Sequence, residues 1–68
     1  MNLLDVVALT EDLPDRSLRR GQVGTVVEIL QPDVFEVEFS DTQGKTYALV
    51  PLYASQLLPL HYSPTHSV

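Results

Sequence analysis

At 68 residues the chain supports one domain, and a domain of that size buries only about 60% of its unfolded surface, so nearly every apolar strand position must serve the core. A composition of 44% hydrophobic and 19% charged residues sets aside the disordered and membrane classes, and the absence of cysteine removes disulfide staples and thiolate zinc sites. The formal charge of −5 repels phosphate backbones and favours a basic protein partner over nucleic acid.

MNLLDVVALTED has no basic run ahead of its apolar residues and meets Asp5 early, which predicts a first strand rather than a signal peptide or membrane span. The strand expected over Leu4 to Thr10 has apolar residues in both registers, Leu4, Val6 and Ala8 against Val7 and Leu9, so either face, or both, meets the core. Glu11 to Gln22 breaks the pattern with Pro14, Gly21 and a concentration of charge, and predicts a loop. Three of the four basic residues, Arg16, Arg19 and Arg20, lie in it. They either neutralise Glu11, Asp12 and Asp15 next door or form a small anion contact. Leu13 and Leu18 are expected to fold the loop over one end of the barrel. Gly21 and Gly24 predict a bulge or tight bend where the second strand begins, since no helix and no GK[ST] follows to make a phosphate loop.

Val23 to Leu30 and Val34 to Ser40 have the residue types of strands, with Pro32 and Asp33 between them. A hairpin centred on Pro32 places Glu28 opposite Glu36, Val26 opposite Glu38, Val27 opposite Val37, Ile29 opposite Phe35 and Thr25 opposite Phe39. Val27, Ile29, Phe35, Val37 and Phe39 then build the core, and the other face is acidic. Asp41 to Gly44 makes the second hairpin loop, with Gly44 suited to a left-handed position. Pairing Ser40 with Lys45 sends Thr46, Ala48 and Val50 inward, sets Tyr47 beside Glu38 and Leu49 beside Glu36, and lets Pro51 stop the ladder. Leu52 to Gln56 fits one helical turn and Leu57 to Leu60 a short edge strand. The expected fold is an all-β, SH3-like, partly open barrel of about five strands with one short 3-10 turn, spanning residues 1–62. Residues 63–68 are expected to form a disordered tail.

The runs LDVVALTEDLP, LRRGQVGTVVEIL, VFEVEFSDTQGKTYALV and QLLPLHY together resemble a small bacterial family known only as a domain of unknown function, DUF4926, over about residues 3 to 62. The resemblance implies an SH3-like barrel. Some of that family's members sit beside small toxin-like proteins, which implies an antitoxin or immunity-type binding role, and it carries over no active-site residue. GQVGTV is also similar to the glycine-containing strand of KOW modules, which implies nucleic acid or ribonucleoprotein, although Glu28, Glu36 and Glu38 stand where a basic face would be useful.

His61 and His66 have no Cys and no nucleophile-like Ser beside them, and their spacing makes no metal pair, so the sequence predicts neither an enzyme nor a cofactor or metal. A proline-rich-peptide groove is disfavoured because Trp is absent and both Phe residues point inward. The expected functional surface is the outer face carrying Val26, Glu28, Glu36, Glu38, Tyr47 and Leu49, an apolar centre with an acidic surround suited to a basic protein partner in the bacterial cytosol. The same patch would serve a homodimer as readily as a foreign partner. The alternatives are a KOW-like module working through Arg16, Arg19 and Arg20, and a structural accessory subunit of a larger complex.

Overall fold

A computed structural model describes residues 1–60 of the chain. The strands are β1 (Val6–Leu9), β2 (Val23–Gln31), β3 (Val34–Ser40), β4 (Thr46–Tyr53) and β5 (Leu57–Pro59), with 3-10 turns at Pro14–Arg16 and Ala54–Gln56. They form one antiparallel sheet in the order β4-β3-β2-β1-β5. This is an all-β, partly open barrel, consistent with the SH3-like architecture that the resemblance implies. Among the described residues no helix is long and apolar enough to cross a membrane. The expected tail of residues 63–68, with His66, and the last two residues assigned to the barrel, His61 and Tyr62, lie outside the described residues.

The ambiguity of β1 resolves in favour of Val7 and Leu9, which join the core cluster, while on the opposite face Ala8 is buried outside that cluster and Val6 is 42% exposed. The long charged loop is more ordered than its composition implies. Leu13 and Leu18 exchange backbone hydrogen bonds at 2.8 and 3.1 Å, and Pro14–Arg16 winds into a 3-10 turn between them. Pro14 suits the start of that turn because its missing N–H would be unpaired there anyway. Leu18 is thereby driven into the core and Leu13 packs against it, as expected from their positions.

The β2–β3 register departs from uniform alternation. Glu28 pairs with Glu36 and Ile29 with Phe35 as expected, but a shift at Val27 pairs Val26 with Val37 and Thr25 with Glu38. Val26 is therefore a core residue at 0% exposure, not an outer-face residue, while Val27 is 37% exposed. The cause is a bulge: one extra residue in β2 reverses the inward and outward sense of everything upstream of it. A second shift beside Leu30 opens the hairpin towards Pro32 and Asp33. There Ile29, although across from buried Phe35, reaches past the core and is 45% exposed. Neither Val27 nor Ile29 is in the core, whereas Phe35, Val37 and Phe39 are.

In the β3–β4 ladder a shift at Tyr47 pairs Ser40 with Thr46, Phe39 with Ala48 and Glu38 with Leu49. Val50 is buried and Ala48 packs on the core as expected, but Thr46 is exposed. Pro51 does not end the strand. It pairs with Glu36, and β4 runs on to Tyr53, so Leu52 belongs to a strand and the core rather than to the helical turn. A proline is tolerated there because β4 is an edge strand, with one side free of ladder bonds. The Asp41 to Gly44 loop closes as its residue types dictate. Asp41 Oδ1 accepts from the N–H groups of Gln43 and Lys45, both at 2.9 Å, and Gly44 takes φ +80°.

Candidate functional site

The outer face of the sheet is built by cross-strand rows. One row runs Leu49, Glu38, Thr25 and Val6 across β4, β3, β2 and β1, and Leu60 extends it by donating its N–H to the Val6 carbonyl at 2.8 Å. The neighbouring row sets Glu28, Glu36 and Pro51 side by side on β2, β3 and β4. Glu28 and Glu36 are thus directly opposed, with Cβ atoms about 5 Å apart in such a pair, and Glu38 lies one outward position along β3. Glu36 and Glu38 are half-buried and Glu28 is exposed. Around them Val6, Val27 and Leu49 are exposed apolar residues, Leu49 to 54%.

Of the six residues expected on this face, Glu28, Glu36, Glu38 and Leu49 share the two rows. Val26 is in the core, for the reason given above. Tyr47, the extra residue of β4, lies outside the rows: its ring is tilted against Phe39 at 6.5 Å between centroids and its hydroxyl accepts from Gln22 Nε2 at 3.2 Å. Sequence reasoning misses Val6 and Pro51. The bulge at Val27 is what aligns Thr25, and through it Val6, with Glu38; Pro51 has the residue type of a terminator.

Arg16, Arg19 and Arg20 are exposed on the β1–β2 loop. Arg19 and Arg20 line an open depression of about 680 Å³ with Asp12, Pro14, Ser17 and Leu18. Asp12 Oδ1 accepts the backbone N–H of Arg20 at 2.8 Å, so that carboxylate holds the loop's backbone in place. Arg16 lines a separate groove of about 310 Å³ between Leu13, Pro14 and Asp15 on one wall and Val50 to Tyr53 with Gln56 on the other. The three arginines are therefore divided between two concavities. No group of three His, Cys, Asp or Glu side chains able to hold a metal comes together among the described residues.

Fold and surface together define a small all-β domain with an acidic, partly apolar sheet face. The chain matches the family described as Domain of unknown function (DUF4926) over residues 3–59, and it belongs to that family. No curated protein and no solved structure matches it.

Proposed function

We propose that this domain is a non-catalytic protein-binding module of the bacterial cytosol, whose outer sheet face takes a basic protein partner. One observation carries this reading: Glu28 directly opposite Glu36 across the ladder, with Glu38 following on β3 and Leu49 beside it. Like charges set opposite each other cost a few tenths to about 1 kcal/mol in folding. Lys or Arg side chains of a partner would offset the repulsion, while Leu49, Val27 and Val6 supply the apolar contact that an interface centre needs. A small basic toxin-like protein, neutralised by capture, is the concrete version. Glu36→Lys with Glu38→Lys should leave the fold intact by circular dichroism and abolish co-purification of partners retained by the parent domain from the native cell; unchanged capture removes the reading.

The depression at Arg19 and Arg20 favours one other reading, an anion contact for nucleic acid in the manner of a KOW-like module. Against the domain's net charge of −5 it predicts weak binding that is confined to low salt and lost in Arg19→Ala with Arg20→Ala. A fluorescence titration with single-stranded and duplex oligonucleotides at low ionic strength, without any salt-sensitive signal, disposes of it.

A further inference from the structure

The order β4-β3-β2-β1-β5 leaves β4 and β5 each with one unpaired side, and an unpaired strand is a template for another. On β4 the ladder fixes where each N–H points. Ala54 donates its N–H to the Asp33 carbonyl, so by antiparallel alternation Leu52 and Val50 point theirs towards β3, whereas positions 53, 51 and 49 face away. The outward N–H of Tyr53 is taken by Gln56 Oε1 at 2.9 Å, and Pro51 has none to offer. Leu49 alone of these three keeps a donor. On β5, Leu60 donates to the Val6 carbonyl, so Leu58 faces β1 and positions 57 and 59 face away. The N–H of Leu57 donates to the Ala54 carbonyl, and Pro59 again has none. Each edge is thus blunted by a proline and by a bond to the same Ala54–Gln56 turn.

We infer that the loss of outward donors blunts both edges of this barrel against strand addition, so that a protein partner is recognised through side chains of the outer face, as a helix or a folded basic surface presents them. The nature of the partner rests on the reading of the acidic face; the blunting of the edges stands by itself. A second copy of the chain is the natural probe strand. Pro51→Val with Gln56→Ala and Pro59→Val restores the outward donors at positions that already lie in extended ladder geometry or beside it. Sedimentation velocity over a concentration series should show self-association strengthened at least about tenfold, since each copy brings two new donors at the β4 edge or one at β5, each of ordinary net strength. Concentration-dependent amide protection should appear at positions 51 and 53 or at position 59. A natively folded variant that associates no more than the parent overturns the inference. If the combined variant does not fold, Pro51→Val with Gln56→Ala frees both blocked outward donors of β4 and leaves β5 unchanged. Concentration-dependent protection of the amides at positions 51 and 53 then supports the blunting of the β4 edge in the parent, and its absence in a folded variant overturns it. Loss of capture in the Glu36→Lys, Glu38→Lys protein concerns the face and not the edges, so either reading can fail alone.

Discussion

Val26→Asp is expected to unfold the domain, and Val27→Asp, one residue on, to leave it folded. Val26 is fully buried in the cluster with Val7, Val37 and Phe39, where no polar side chain is buried and none stands ready to pair with a carboxylate. The substitution removes a branched apolar side chain and places an unpaired charge in its space, a loss of at least about 4 kcal/mol. A domain of this size has about 3 to 10 kcal/mol in total. Val27 is the bulge residue and 37% exposed, so its carboxylate stays hydrated and the change lies within about 1 kcal/mol. Urea denaturation followed by far-UV circular dichroism separates the two, and equal losses would remove the bulge from β2.

That pair of valines also shows how far the sequence is legible. The residue types of β2, β3 and β4, the turn chemistry at Pro32 and Asp41 to Gly44, and the inward set Phe35, Val37 and Phe39 all follow from local propensity and period-two alternation. Alternation in β2 holds a contradiction, however. Gly24, Val26 and Glu28 share one parity, yet the first two are buried and the third is solvated. Only an odd insertion between Val26 and Glu28 reconciles them, and uniform counting from Pro32 cannot supply it. Weighing the burial demand of a 68-residue chain above regular pairing turns the conflict itself into a pointer to the bulge.

The candidate face divides in the same way. Glu28, Glu36 and Glu38 are placed by chemistry, since carboxylates on strands must face water; Leu49 keeps the outer face, but its partner is Glu38 rather than the expected Glu36. Val26 and Tyr47 are placed by register, and each fails at a bulge. Pro51 fails for a different reason. A proline ends a central strand, but β4 is an edge, and edge status is set by the whole topology rather than by the strand's own residues. The expected terminator is instead part of the outer row beside Glu36 and of the device that blunts the edge.

Gly24→Ala should be the most damaging small substitution in the domain. Gly24 is buried and takes no left-handed conformation, so its requirement for glycine lies in packing rather than in φ. A Cβ there would meet the Glu38 carbonyl oxygen at 2.8 Å, Val37 Cγ1 at 2.8 Å and Phe39 Cδ1 at 3.0 Å. The first of these is backbone held in the β2–β3 sheet, and the other two belong to side chains with no exposure. The methyl group therefore forces β2 and β3 apart beside the buried Val37 and Phe39, at about 3 kcal/mol, which lowers the melting temperature by roughly 12–24 °C in a domain of this size. Phe39→Leu in the same chain should not restore stability, because the two 2.8 Å contacts remain. Gly21→Ala and Gly44→Ala provide the contrast. Their φ values of +90° and +80° strain an L-residue, but nothing lies within 4 Å of the added carbon, so each costs about 1–2 kcal/mol. Thermal melts of the three variants should rank Gly24→Ala lowest by a clear margin. A Gly24→Ala protein as stable as Gly21→Ala would mean that β2 and β3 do not meet as closely at Gly24 as the register requires.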